Sequence, residues 1–312
     1  MASFILLLFL TLGYCSAYDY LTLQPHIFNR DHDFLDLNGK TPLAFRLSFV
    51  PRDVLRIDGY VQLKGKNQPF NVQLYGDKNG VEVVPVWLGF YYNPERVELY
   101  KKTTPGKWEN KVVTEKTMIN DFDSHEVIIH FIFALKSVEI YVNYEFIATY
   151  PIDNLLDIDR VYIGDSITAR RISKGGDPLN ELANCVTLCR QNFLPMREGR
   201  FSILGKPKGD FSIFLGGRTN HTLFLMNPRF GEGVIVRNNH DGASWKNEER
   251  DGAFTFRKDV LCEVTIFNTQ DKLEVEVDGM HIFSFVHRTK DYLNDYVFWQ
   301  IQGMEVYDVH LA

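Results

Sequence analysis

Two blocks of strict alternation, 135 positions apart, restrict this chain more than any other feature. The first is Val138-Glu139-Ile140-Tyr141-Val142-Asn143, followed by Tyr144-Glu145-Phe146-Ile147-Ala148-Thr149-Tyr150. The second is Leu273-Glu274-Val275-Glu276-Val277-Asp278-Gly279, followed by Met280-His281-Ile282-Phe283-Ser284-Phe285. Successive side chains of a strand point to opposite faces, so each run is a strand with one wet and one buried face. Val54–Val61 and Phe70–Tyr75 alternate in the same way. The pair Asn93-Pro94 precedes Asn227-Pro228 by 134 positions, and Trp108 precedes Trp245 by 137. A period of this length is a domain duplication, too long for a solenoid repeat.

The 312 residues suffice for two domains of ordinary size, each with its own core. Convincing helix periods are few, and 24 Phe with 15 Tyr lean toward strands. The expected fold is therefore all-β, two tandem antiparallel β-sandwiches joined by a linker. The expected divisions are an arm over 18–42, a first domain over 43–167, a linker over 168–192 and a second domain over 193–312. Arg170-Arg171, Gly175-Gly176-Asp177-Pro178 and a helix-like stretch from Leu179 to Leu188 mark the linker. A formal net charge of -6, without a dense Lys/Arg stripe in either half, argues against nucleic acid or an anionic membrane as the main partner.

At the N-terminus, Phe4-Ile5-Leu6-Leu7-Leu8-Phe9-Leu10 closes on Cys15-Ser16-Ala17. The apolar run is well short of the ~20 residues of a membrane span. With its small-residue ending it reads as a secretory signal over 1–17, although no Lys or Arg precedes it. The chain is expected to be secreted and extracellular, without membrane insertion. Loss of Cys15 with the signal leaves Cys185, Cys189 and Cys262, an odd number. Cys262 falls in phase with Val260, Val264 and Ile266 and reads as a buried free thiol. Cys185 and Cys189 either bridge locally or stay reduced. Asp31-His32-Asp33 with Asp36 fails as a calcium loop, because Leu35 takes a ligand position and Asp36 the required glycine. Asn220-His221-Thr222 is an N-glycosylation sequon, expected to be occupied in an exported protein.

The functional signal lies between Leu225 and Arg250. Leu225, Asn227 and Arg229 share one strand face, Glu248 and Arg250 share another, Trp245 just precedes them, and Asn238 adds a second amide. Fixed donors and acceptors beside an indole plate suit a sugar, whose hydroxyls take hydrogen bonds while its C–H face stacks. The order Asn227-Pro228-Arg229, Val236-x-Asn238, Trp245-x-x-Glu248-x-Arg250 resembles the carbohydrate-recognition motif of galectins. Leu225 stands where that family has histidine.

The resemblance covers two copies and implies jelly-roll sandwiches binding β-galactoside glycans or glycoproteins, with no cofactor and no metal. It implies that Asn227 and Arg229 hold the axial 4-hydroxyl of galactose, Asn238 bonds the 6-hydroxyl, and Trp245 stacks on the ring. Glu248 and Arg250 would reach the adjoining sugar, with Glu248 also ordering the arginines. Replacing histidine by Leu225 removes a hydrogen bond of ~1 kcal/mol, and more if charge-assisted, which weakens affinity about tenfold and loosens discrimination at the 4-hydroxyl. His221 lies too far back in sequence to substitute, and His240 is expected in solvent. In the first copy Tyr91 takes the histidine position, Asn93 is kept, Glu95 replaces arginine and Lys101 replaces asparagine. Trp108 is kept, while Lys111 and Val113 replace the glutamate and the second arginine. That half is expected to be structural or to contact protein.

No nucleophile elbow, P-loop or H-E-x-x-H is present, and Cys185-x-x-x-Cys189 lacks the second pair of a zinc site. Glu248 and Glu249 point to opposite faces, wrong for paired acid–base work. The expectation is a lectin with no catalytic residues. The alternative is a secreted galectin-fold adhesion or scaffold protein that binds protein.

Overall fold

A computed structural model describes residues 20–22, 35–36, 43–62, 70–92, 95–104, 107–114, 123–164, 167–176, 182–193, 195–219 and 221–311. The 1–17 signal, Asp31-His32-Asp33, Asn93-Pro94 and the sequon Asn220 lie outside them. The chain divides into two compact units, Met1–Gly175 and Gly176–Ala312. Each has its own hydrophobic cluster, one from Phe45 to Ile172 and one from Leu182 to Val306.

The first unit is a sandwich of two sheets. Its strands begin with β1 (Tyr20–Thr22), β2 (Leu35–Asp36), β3 (Leu43–Arg46) and β4 (Asp53–Gln62). They continue with β5 (Phe70–Lys78), β6 (Val81–Tyr92), β7 (Glu95–Thr104), β8 (Lys107–Thr114) and β9 (Asp123–Ala134). β10 (Ser137–Val142), β11 (Glu145–Pro151), β12 (Arg160–Ile163) and β13 (Ile167–Gly176) complete the unit. One sheet runs β1-β3-β12-β5-β6-β7-β8, the other β11-β10-β9-β4-β13-β2. Inward residues such as Phe70, Val72 and Leu74 of β5 are fully buried, as alternation requires.

The second unit contains β14 (Cys189–Asn192), β15 (Gly199–Gly216), β16 (Thr222–Arg229), β17 (Val234–His240) and β18 (Cys262–Asn268). β19 (Lys272–Val277), β20 (Met280–Val286) and β21 (Phe298–Leu311) follow. The ladder runs β14-β21-β15-β18-β19-β20, and β16 and β17 branch from the other half of β15. Gly199–Gly205 pairs with β18, whereas Ile213–Gly216 pairs with β16. β15 and β21 thus pass from one layer to the other, with a register break between Pro207 and Ser212. Gly303, at φ 80°, sits at that bend, and a Cβ there would lie 2.5 Å from the carbonyl oxygen of Asp210.

The two alternating blocks form hairpins of one design. Asn143 and Asp278 both adopt positive φ, and their Oδ1 atoms accept from the N–H of Ile128 and Glu263, each at 2.8 Å. Their own N–H groups donate back to the carbonyls of those residues at 2.8 and 2.9 Å.

The linker is shorter than 168–192. Ile167–Gly176 continues as a strand of the first unit, and Cys189–Asn192 is already a strand of the second. The helix-like stretch keeps one 3-10 turn, Ala183–Val186, because Cys185 and Cys189 are disulfide-bonded across 4.5 Å between Cα atoms. Tyr20–Thr22 and Leu35–Asp36 pair with β3 and β13, so the arm contributes strands. Cys262 is a buried free thiol, and burial pushes its pKa well up.

Candidate functional site

β16 and β17 set the site. They pair antiparallel with Leu225 opposite Asn238, Asn227 opposite Val236 and Arg229 opposite Val234, so these residues share a face. The opposite face, Phe224, Met226 and Pro228, is buried. Pro228 lies just beyond Met226, where the pairing of β16 to β15 stops, so its missing N–H breaks no ladder bond on that side. Segment 244–250 runs beside β17 through bridges from His240 to Trp245 and from Arg237 to Glu249.

Asn227 is fixed by three partners. Its Nδ2 donates to the Phe211 carbonyl at 2.7 Å and to Ser212 Oγ at 3.2 Å, and its Oδ1 accepts from Arg229 Nε at 2.8 Å. From Arg229 a closed ring of charge begins. Its guanidinium reaches Glu232 at 3.1 Å and Glu248 at 3.6 Å. Arg250 meets the same two carboxylates, Glu232 at 2.7 Å and Glu248 at 2.6 Å. Two guanidiniums and two carboxylates therefore alternate, with no net charge. The hydrogen bonds from Arg250 and then Arg229 hold the Glu232 carboxyl below its ordinary pKa of 4.5. Glu248 and then Glu232 raise that of Arg250. Exposed ion pairs contribute little stability. Their effect here is to hold both donor forks in one orientation.

Trp245 is 49% exposed, so its indole is open to a ligand. It is propped by the His240 ring, nearly perpendicular with centroids 5.2 Å apart. His240 is accordingly half-buried rather than free in solvent, and its Nδ1 accepts from the Gly242 N–H at 3.1 Å. Asp241 caps the N–H groups of Ala243 and Ser244, which shapes the loop before Trp245. Asn238 is 3% exposed. Its Nδ2 donates to the Lys246 carbonyl at 2.8 Å and its Oδ1 accepts from the Asn239 N–H at 2.8 Å, so the amide pins the segment that carries Trp245.

Asn227, Arg229, Glu248 and Arg250 are thus joined in one network, with Trp245 on the same bridged segment as the last two. Glu232, Arg288 and Arg237 were not singled out by sequence. Glu232 stands three residues after Arg229 in a turn closed by Gly233 at φ 63°, a local signal that reading the strands passes over. Arg288 reaches the Asn239 side chain at 2.8 Å, the Asn247 carbonyl at 3.2 Å and the Glu249 carboxylate at 2.5 Å. Arg237 is buried over the Phe283 ring and bonds the carboxylate and carbonyl of Asp251. These two cations clamp segment 247–251 from beneath. His221 packs against Gly242, where a Cβ would lie 2.4 Å from its Nε2, a contact invisible in sequence spacing.

The second unit is therefore a β-sandwich whose sheet presents an arginine–carboxylate ring beside an open indole. Residues 190–311 match the family model described as galactoside-binding lectin. This unit belongs to the galectin family. Over 103 residues the chain is 35% identical to the 32 kDa beta-galactoside-binding lectin of Haemonchus contortus, covering 33% of this chain and 36% of that one. The 32 kDa beta-galactoside-binding lectin of Caenorhabditis elegans is 34% identical over 88 residues, 28% of this chain and 32% of its own. Human galectin-2 is 33% identical over 78 residues, 25% of this chain and 59% of its own. The matched stretch thus spans about a third of the first two relatives. Among solved structures, Caenorhabditis elegans galectin LEC-6 aligns with a TM-score of 0.38 and 24% identity, covering 40% of this chain and 91% of that one.

Proposed function

We propose that the second unit binds β-galactoside-type glycans and that the chain is a secreted lectin without catalytic activity. The observation that carries this reading is the closed ring of Arg229, Glu232, Arg250 and Glu248 beside the exposed Trp245. Asn227 and Arg229 supply donors to a galactose hydroxyl, Trp245 stacks on the C–H face, and Glu248 with Arg250 meets the adjoining sugar. Asn238 shapes the floor, since its amide nitrogen is taken by Lys246. Leu225, directly opposite Asn238, sets a methyl-bearing wall where a donor would otherwise meet the ligand. Affinity for lactose is accordingly modest. Export follows from the N-terminal apolar run, with the Asn220 sequon as a glycosylation site.

Passage of the purified chain over immobilised lactose tests the reading. Retention that Arg229→Ala or Trp245→Ala abolishes supports it. A wild-type chain that flows through, and ignores a broad panel of galactosides, refutes it in favour of a galectin-fold scaffold that binds protein.

A further inference from the structure

The first unit carries an aromatic surface that the role of the second leaves unused. β6, β7 and β8 stand side by side, and the partners Trp87 and Tyr100, Gly89 and Glu98, Tyr91 and Arg96, and Lys102 and Trp108 face one way. On β5, Gln73 and Asn71 lie opposite Trp87 and Gly89, adding two amides linked at 2.9 Å. The planes of Trp87, Tyr100 and Trp108 meet at 68°, 69° and 77°, with centroids 5.3 to 6.3 Å apart. Three rings thus form an open corner. Trp108 is 48% exposed, and Trp87 and Tyr100 are half-buried. Gly89 makes the corner, because a Cβ there would lie 2.1 Å from the Trp87 ring. The missing side chain lets that indole lie along the sheet. Beside the rings, the buried Glu98 carboxylate accepts from Arg96 Nε and from the Tyr100 hydroxyl, both at 2.6 Å, and Arg96 stacks 3.9 Å over Tyr91.

The charge balance selects among ligands. Aromatic corners can hold a quaternary ammonium, but here Glu98 is matched by Arg96, and Lys102 stands directly opposite Trp108. Lys102 in turn pairs with Glu82 at 4.0 Å, so a cation would find no carboxylate here that is not already matched by a basic group. A neutral molecule with a C–H face and a rim of hydroxyls fits both the rings and the polar edge. We infer that this corner is a second saccharide site, for a neutral oligosaccharide that stacks on Trp108 and Trp87 and turns its hydroxyls toward Asn71, Gln73 and the Glu98–Arg96 pair. Its chemistry differs from that of the second unit. One guanidinium already tied to a buried carboxylate replaces the ring of two, so stacking area outweighs any test of an axial hydroxyl. Flat, equatorially substituted pyranosides of the glucose and N-acetylglucosamine series are therefore preferred over galactosides. This inference stands independently of the lactose reading.

The full chain carrying Arg229→Ala and Trp245→Ala, silent at the second unit, provides the test. Cellotriose and triacetylchitotriose are titrated against it by tryptophan fluorescence and ligand-observed NMR. Saturable binding of one of them is expected, weakened about tenfold or more by Trp108→Ala at an unchanged melting temperature. Trp108→Phe, which keeps a ring in place, should lose less and serves if the alanine variant does not fold. Gly89→Ala, which displaces Trp87, should weaken binding as well. Absence of saccharide binding, binding indifferent to both Trp108 variants, or binding of tetramethylammonium in place of sugar would each overturn the inference.

Discussion

Glu232 occupies a turn, yet it completes the ring by taking one guanidinium from the end of β16 and one from segment 244–250. Glu232→Gln removes the shared charge and lets Arg229 and Arg250 rotate. Because the pairs are exposed, the expected loss of lactose affinity is about two- to fivefold by isothermal titration. On the proposed reading the same carboxylate would set the acid limit of binding. Its folded pKa is depressed below 4.5, so its ordering of the arginines is fully present above that value and is lost as pH falls through the lower folded one. Lactose affinity measured down a pH series should stay level to about pH 4.5 and decline only below it. Leu225→His restores a donor opposite Asn238 and should tighten lactose binding about five- to tenfold.

At the scale of elements, the two hairpins show what alternation can and cannot deliver. Val138–Val142 and Leu273–Val277 are strands because their valine, leucine and isoleucine side chains recur every second residue against separate cores. The side-chain clips of Asn143 and Asp278 tie their turns to the neighbouring strands β9 and β18, and Asp278→Ala should lower unfolding free energy by about 1 kcal/mol in urea denaturation. β15 was not legible as one strand, since Gly205, Pro207 and Gly209 within it read as breaks. It survives because the ladder is interrupted at that point and the strand changes layers. The linker was overestimated for the same reason, Arg170-Arg171 and Gly175-Gly176 being strand residues whose pairing lies far away in sequence. Asn227, Arg229, Glu248 and Arg250 were legible, because spacing two apart fixes their faces. Asn238 was legible in position but not in its hydrogen bonds. Glu232, Arg288 and the aromatic corner depend on turns and cross-strand register, which one strand read alone does not contain.

For the molecule as a whole, each unit has its own core, so a fragment spanning 176–312 should fold and bind lactose within about twofold of the full chain. Two sites of unlike chemistry, one an arginine–carboxylate ring and one an aromatic corner, would bridge two different glycans rather than cross-link one kind. The chain has four tryptophans, of which Trp299 is buried, Trp87 half-buried, and Trp108 and Trp245 exposed. Their indole N–H resonances, assigned by substitution to Phe, separate the sites within one spectrum. The most direct measurement is a lactose titration of the full chain followed through these four signals. The account predicts that the Trp245 resonance moves saturably while Trp87 and Trp108 stay in place. A stationary Trp245 signal at saturating lactose would contradict it.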